Sequence, residues 1–241
     1  YEKSFRLPTS KEAILFFFIG FQGIFFHQAI QSYALKTAGA ANSNWMMIAT
    51  PAVVAILGRL FLGEKISTRG IFGMTLAASG VALVVARGTL SAAGPENFGS
   101  VGDLIMLFSV LNWAVFLIIT RKTLKTDLSP TFVIFWELFF ALISSVFFAC
   151  LIGSDFSVIP DFTSGMWLAL IFLGAFSSAM AYLFWFKALA IFTVARVAVF
   201  QFFQPIAGII ISYFLIGERF TLWLVVGGAM ILYGVWLVDR K

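Results

Sequence analysis

Charged residues are scarce in this sequence. Only 11% of its 241 residues are charged, less than half the share of about 25% that soluble domains carry. Apolar residues make up 61%, with 30 Phe and 7 Trp, so the sequence predicts a membrane protein. The surplus of 16 Lys and Arg over 11 Asp and Glu then reflects charge asymmetry across a bilayer. Nucleic-acid binding is not expected, because no basic patch alternates with aromatic residues.

Histidine and cysteine are almost absent, with one of each, His27 and Cys150. A single cysteine excludes a disulfide framework and a thiol metal cluster. No Gly-rich phosphate loop follows a strand pattern, and no His, Cys or carboxylate spacing is typical of a metal site. An intramembrane enzyme would need such a constellation, so we expect no catalytic residues, no metal and no cofactor.

Long apolar runs are what the sequence has instead. Most approach the ~20 residues that a helix needs to cross a bilayer. The first dozen residues are polar and basic, without the apolar core and cleavage site of a signal peptide. The sequence predicts an all-α polytopic membrane protein. Its apolar runs lie near residues 13–35, 43–62, 70–86, 103–120, 131–152, 165–187, 195–216 and 221–238.

The chain contains one unit twice. An offset of 154 residues aligns 33–84 with 187–238 without a gap, and 12 of the 52 positions are identical. Gly20 aligns with Gly174 further upstream. Such self-similarity indicates two copies of one structural unit. The matched residues are Pro51 with Pro205, Gly63-Glu64-Lys65 with Gly217-Glu218-Arg219, Gly73 with Gly227, and Gly80 with Gly234.

Each matched residue has a physical reason. Glycine before a charged pair suits a helix C-terminus, where it adopts a left-handed conformation at little cost. The carboxylate of Glu64 or Glu218 is expected beside the N-terminus of the following helix, near its free amides. Gly73 and Gly80 share nearly one helix face and would let another helix approach closely.

This pattern of helix proline, Gly-Glu-basic turn and glycine-studded helix resembles the EamA repeat of the drug/metabolite transporter superfamily. The resemblance covers nearly the whole chain and implies two five-helix copies, ten helices in the parent protein. On that basis residues 1–86 are expected to hold the last three helices of the first copy, whose first two helices would be missing. Residues 103–238 are expected to hold the complete second copy.

Lysine and arginine predict the orientation in the membrane. If residues 1–12 are cytoplasmic, thirteen of the sixteen lie inside or near inner helix ends, and only Lys36, Arg87 and Arg219 lie outside. Both ends of this sequence are then cytoplasmic, with Glu64 inside and Glu218 outside. Pro51–Val84 and Pro205–Val238 should be related by a two-fold axis in the membrane plane, as in transporters built from inverted repeats.

Four of the runs, 13–35, 103–120, 165–187 and 195–216, place polar and aromatic residues on one helix face. On the run 103–120 this stripe consists of Ser109, Asn112, Trp113, Phe116 and Thr120. In spanning helices such residues face the bundle interior or a water-filled cavity. Helix packing through small and hydroxyl side chains is the alternative for any one of them. Bulky amphipathic groups favour a ligand cavity. The predicted substrate-binding residues are His27, Gln31, Trp113, Tyr182, Trp185 and Gln201.

Three further residues are singled out by their place inside apolar runs. Pro51 and Pro205 are predicted to kink their helices, because proline removes a backbone hydrogen bond. Glu137 is a carboxylate well inside its run, where an unpaired charge would be costly. An ion pair with Lys187 or Arg196 is the first interpretation and proton coupling the second.

The resemblance implies a transporter in the bacterial inner membrane that moves small metabolites, with amino acids prominent. The aromatic faces favour export of amino acids, aromatic ones among them, by alternating access. The expected partners are a small-molecule substrate and the lipid bilayer, and a monomer is compatible with the sequence. Transport of nucleotide sugars or drugs is the alternative, and a purely structural membrane protein is another.

Overall fold

The computed structural model describes residues 6–36, 46–85, 100–157, 159–204, 206–207 and 222–239. All main elements in these ranges are helices, and eight of them follow the eight apolar runs. The prediction of an all-α protein is confirmed. The helices are α1 (Ser10–Ala34), α2 (Thr50–Leu62), α3 (Thr68–Val85), α4 (Val101–Leu124), α5 (Pro130–Leu151), α6 (Ser164–Ile191), α7 (Val194–Phe203) and α8 (Leu222–Asp239).

Helix length and composition agree with a membrane protein. Four helices, α1, α4, α5 and α6, are long and apolar enough to cross a bilayer, with 25, 24, 22 and 28 residues. The described parts of α2, α3, α7 and α8 are shorter and also apolar. Many large apolar side chains are exposed on these helices, which suits a surface that contacts lipid.

Serine and threonine begin most of these helices. In α1 the Thr9 hydroxyl accepts a hydrogen bond from the Glu12 amide, and the Glu12 carboxylate accepts one from the Thr9 amide. This reciprocal arrangement satisfies two amides that the helix itself leaves free. The hydroxyl residues that cap helix N-termini in this way are Thr9, Ser67, Ser100, Ser129, Thr163 and Thr193.

The chain folds into two compact units, and each mixes parts of the two sequence copies. Unit 1 comprises residues 1–27 and 119–191, and unit 2 comprises residues 28–118 and 192–241. Each unit is therefore built from segments of both the first and the second predicted copy. The copy boundaries at 1–86 and 103–238 stay a prediction.

In unit 1, α5 packs along the first half of α1. Aromatic rings fill this contact: Phe16 meets Phe132 with ring centroids 5.7 Å apart, and Phe25 meets Phe148 at 5.0 Å. A Cβ atom on Gly20 would overlap the backbone carbonyl oxygen of Glu137. Glycine is therefore required at this point, because the two backbones touch. The C-terminal half of α6, Ala181–Ile191, also packs against α5.

In unit 2, α3 and α8 make the most extensive helix contact and touch at two glycine pairs. A Cβ on Gly73 would lie 2.6 Å from the carbonyl oxygen of Gly234, and one on Gly234 would lie 2.5 Å from the oxygen of Gly73. Gly80 and Gly227 exclude each other's Cβ in the same way, at 2.6 and 2.7 Å. The helices are therefore antiparallel, because rising numbers in α3 meet falling numbers in α8.

These contacts carry the symmetry of the repeat. Gly73 aligns with Gly227 and Gly80 with Gly234. If each glycine is replaced by its equivalent in the other copy, the contact between Gly73 and Gly234 becomes the contact between Gly227 and Gly80. A contact set that maps onto itself in this way indicates a local two-fold axis. The antiparallel course of α3 and α8 and their paired glycine contacts agree with the predicted two-fold relation between the copies. An axis in the membrane plane that relates the full segments stays a prediction. Glu218, whose membrane side the sequence also predicts, lies outside the described residues.

Alanine at Gly234 should disrupt this helix contact, whereas alanine at Gly228 in the same helix should not. A Cβ on Gly234 would meet backbone atoms of α3, whereas one on Gly228 meets nothing within 4 Å. Overpacking of this kind costs about 1–3 kcal/mol, while alanine is favoured over glycine in a helix by roughly 1 kcal/mol. Thermal unfolding in detergent should show a lowered midpoint for Gly234→Ala and an unchanged or raised one for Gly228→Ala. Equal midpoints for the two variants would contradict the contact.

Candidate functional site

The polar stripe predicted on α4 faces inward. Ser109, Asn112, Phe116 and Thr120 are buried, and Trp113 is half-buried beside them. Large apolar side chains on other faces of the helix are exposed, among them Leu104, Leu107, Phe108, Leu111 and Val115. Because α4 is a regular α-helix throughout, the 3.6-residue period placed its faces correctly.

Unit 1 holds three of the six predicted substrate-binding residues. His27 is buried in α1, whereas Tyr182 and Trp185 are half-buried and three residues apart on α6. That spacing places the two rings on one face of the helix. The indole Nε1 of Trp185 is buried and has no hydrogen-bond partner among the described residues. It is a donor that a ligand could use.

Unit 2 holds the other three. Gln31 and Trp113 are half-buried; the Gln31 amide nitrogen lies 4.0 Å from the sulfur of Met47, and the Trp113 ring lies 5.0 Å from that of Phe116. Gln201 lies in the 3₁₀ part of α7, and its Oε1 is buried without a partner among the described residues. That the six residues line one cavity stays a prediction.

Two π-helical segments interrupt the α-helices at equivalent places in the repeat. Gly20–Phe26 lies in α1 and Leu173–Met180 in α6, and the offset of 154 carries Gly20 onto Gly174 and Phe26 onto Met180. Such segments occur often at functional sites. Sequence reasoning missed them and applied the α-helical angle throughout. Each segment leads directly into predicted site residues, the first into His27 and the second toward Tyr182 and Trp185.

Glu137 is fully buried on α5 and does not face lipid. It shares a buried stripe with Val133, Ala141 and Ser144. Neither of its carboxylate oxygens has a hydrogen-bond partner in the described part of the chain. The predicted ion pair is not formed there: Lys187 is exposed, and Arg196 pairs with Asp239 instead. Arg196 bonds Asp239 because the two side chains meet at one end of unit 2.

Pro51 does not kink a helix interior. It stands in the first turn of α2, where proline is tolerated because its missing N–H would have had no partner in the helix. The apolar run at 43–62 suggested a single long helix, but turn residues 48–49 precede α2. Pro205 lies outside the described residues.

The repeated turn has the expected glycine geometry and an unexpected partner for its glutamate. Gly63 ends α2 in the left-handed conformation, with φ of 66°. Glu64 was expected beside the N-terminus of α3, but the hydroxyl of Ser67 caps that helix, accepting from the Gly70 amide at 3.0 Å. The Glu64 carboxylate instead accepts a hydrogen bond from the amide of Val194, at 2.9 Å.

The Glu64 bond joins the two sequence copies at one end of unit 2. Val194 is the first residue of α7, so Glu64 satisfies a free amide at that helix N-terminus. A Cβ on Gly58 would lie 2.5 Å from the Val194 side chain, so α2 also approaches α7 closely. Arg69 stacks on Trp236 with 5.6 Å between guanidinium and ring centre. That this end lies on the cytoplasmic side stays a prediction from the lysine and arginine counts.

Metal chemistry has no support from the described residues, among which no three His, Cys, Asp or Glu side chains are grouped to hold a metal ion. The predicted site residues in the described ranges carry hydrogen-bonding and aromatic side chains. Such groups bind and orient small molecules.

Comparison with known proteins identifies relatives over nearly the whole chain. The sequence profile of the EamA-like transporter family matches residues 2–86 and 100–239. An uncharacterized transporter of Archaeoglobus fulgidus is 27% identical over 241 residues, 100% of this chain and 81% of that protein. A "probable terminal-alkyne amino-acid exporter" of Streptantibioticus cattleyicolor is 22% identical over 241 residues, 98% and 76% of the two chains. A solved crystal structure superposes with a TM-score of 0.76 at 19% identity, covering 98% of this chain and 77% of that one.

The Glu64 bond predicts which amide protons are protected from solvent exchange. Removing the carboxylate in Glu64→Ala should speed hydrogen exchange at the Val194 amide roughly ten- to hundredfold, because a hydrogen bond to a charged group contributes about 1.5–3 kcal/mol. Glu64→Gln keeps an acceptor oxygen and should have a smaller effect. Residue-resolved hydrogen exchange in detergent measures both.

Ser67→Ala is the matched control for the same turn. It should speed exchange at Gly70, whose amide the Ser67 hydroxyl holds, and leave Val194 unchanged. If Glu64→Ala instead affected Gly70 and spared Val194, Glu64 would be a cap of α3, as the sequence alone suggested.

Proposed function

The chain belongs to the EamA-like transporter family, and we propose that it is a secondary transporter that exports amino acids, aromatic ones among them. Its working cycle is alternating access between the two inverted copies. Antiparallel packing of α3 and α8 about a local two-fold axis supports this cycle, because exchanging the roles of two such copies converts an inward-open state into an outward-open one.

Two buried polar atoms support an amino acid as the substrate. The Trp185 indole nitrogen is a donor and the Gln201 amide oxygen an acceptor, and neither has a partner among the described residues. Leaving such groups buried and unpaired costs about 1–3 kcal/mol each. An amino acid carries groups that suit either atom, since its carboxylate accepts hydrogen bonds and its ammonium group donates them. The unsatisfied donor in unit 1 and the unsatisfied acceptor in unit 2, each taken by itself, are the observation that carries the proposal.

Candidate cations argue against a nucleotide sugar. Several Lys or Arg side chains would be needed around its phosphates, and the sequence offers Lys187 and Arg196 as candidates. In the structure Lys187 is exposed and Arg196 is paired with Asp239. The relative named as an amino-acid exporter covers most of the chain, which also favours an amino acid. Export from the cytoplasm, with both ends of this sequence on the inner side, completes the proposal.

Trp185 should be the most informative residue to change. Trp185→Phe keeps an aromatic ring and removes the N–H donor, so KM for amino-acid exchange should rise about three- to tenfold, the range expected for one hydrogen bond. Trp185→Ala also removes the ring and should change the ranking of aromatic against aliphatic amino acids. Radiolabelled exchange in vesicles containing the purified protein measures both effects.

Phe184→Ala is the matched control, because Phe184 is the neighbouring residue on α6 and is 62% exposed. Its KM and substrate ranking should equal those of the unmodified protein. The panel should include a nucleotide sugar and a cationic drug. Exchange of either without exchange of any amino acid would contradict the proposed substrate class.

A further inference from the structure

One buried acid in unit 1 has no evident structural role. The Glu137 side chain has zero solvent exposure, and its oxygens have no hydrogen-bond partner among the described residues. The serines further along α5 are not donors to it: Ser144 and Ser145 give their hydroxyl protons to the carbonyls of Phe140 and Ala141, at 2.8 Å each. Within the described ranges, no hydrogen bond or ion pair therefore accounts for this carboxyl group.

The charged groups on neighbouring elements are occupied or exposed. The first half of α1 carries Lys11, which is exposed, and Glu12, which is paired with Arg6 at 2.6 Å. Gly20–Phe26 has no titratable residue, and His27 follows it. Ala181–Ile191 carries the exposed Lys187 and also Tyr182, which is within electrostatic range of Glu137. None of the described cations forms an ion pair with Glu137.

An unpaired carboxylate in such surroundings would be unstable by several kcal/mol, whereas the neutral acid is not penalised in this way. The stable form of Glu137 in the conformation described is therefore the protonated acid. A group of this kind can bind and release a proton only if its surroundings change from buried to hydrated during the working cycle.

The helices packed against Glu137 are the ones that carry the π segments. Gly20, at the start of the first segment, touches the Glu137 backbone. Ala181–Ile191, which contacts α5, continues directly from the second segment. A π segment replaces the usual hydrogen bonds by i→i+5 bonds and is frequent at functional sites. Both helices packed against α5 thus contain a segment that departs from the regular α-helical hydrogen-bond pattern.

We propose that Glu137 is the proton-binding residue of this transporter and couples amino-acid export to proton entry, an inference that rests on the proposed function. Glu137 takes a proton from water on the outer side and holds it while buried. When the helices at the π segments rearrange, its O–H bond breaks and the proton passes to water on the inner side, leaving the carboxylate. Substrate leaves the cell as the proton enters.

Vesicles containing the purified protein separate exchange from coupling. Exchange of labelled against unlabelled amino acid, with no pH gradient, tests transport alone. Uptake driven by a difference of one pH unit across the vesicle membrane tests coupling. Exchange of one proton for each substrate molecule supports up to about tenfold accumulation of the amino acid. Glu137→Gln should keep exchange and lose accumulation, and Glu137→Asp should keep both.

Glu12→Gln is the matched control, because it makes the same substitution at an ion-paired carboxylate near the start of α1. It should keep gradient-driven accumulation. Accumulation by Glu137→Gln at the unmodified level would overturn the inference, as would exchange by the unmodified protein without any response to the pH gradient. Absence of exchange in the unmodified protein would instead overturn the proposed function.

If Glu137→Gln does not fold, proton release on substrate binding tests whether substrate and proton binding are coupled. In weakly buffered detergent solution with a pH-sensitive dye, the unmodified protein and Glu137→Asp should each release close to one proton when a transported amino acid is added. No release from the unmodified protein would overturn the inference.

Discussion

Backbone contact between α3 and α8 is the constraint on which unit 2 depends. Inside a bilayer apolar surfaces gain little by meeting each other, so helix association relies on close packing. Glycine at positions 73, 80, 227 and 234 lets the two backbones touch, and the pairs exclude any larger residue. Around this contact lies a core that includes Met74, Ala77, Val81, Ile231 and Val235 from the two helices and Val199 and Phe202 from α7. The position of α7 therefore depends on the glycine contact.

The apolar environment of the bilayer also limits the roles that polar side chains of this protein can have. A hydroxyl or carboxyl group in the apolar interior must find a partner, remain neutral or face a cavity. Ser79, Ser144 and Ser145 donate to carbonyls of their own helices, so these hydroxyls are satisfied without a ligand. Glu137, Trp185 and Gln201 have atoms that are not satisfied in this way among the described residues. The functional proposals concern these residues because their buried polar atoms lack a hydrogen-bond partner in the described part of the chain.

Much of the fold could be predicted from residue patterns. Apolar runs and helix-terminal glycine are local signals, and the 154-residue offset appears when the sequence is compared with itself. The inward stripe of α4 followed from regular α-helical geometry. The π segments could not be predicted, since the apolar pattern of Gly20–Phe26 suits either helix type. Nor could the partner of Glu64, because Val194 is 130 residues away and only the tertiary fold brings them together. The kink predicted at Pro51 was wrong, because composition does not reveal a turn inside an apolar run.

The central claim is that the two copies lie inverted in the membrane, and the sidedness of the two Gly-Glu-basic turns tests it most directly. Lys65→Cys and Arg219→Cys, each made in a protein whose exposed Cys150 is replaced by serine, can be labelled with a membrane-impermeant maleimide. In intact cells Arg219→Cys should react and Lys65→Cys should not, and inside-out vesicles should reverse the result. Labelling of both positions from the same side would contradict the inverted arrangement.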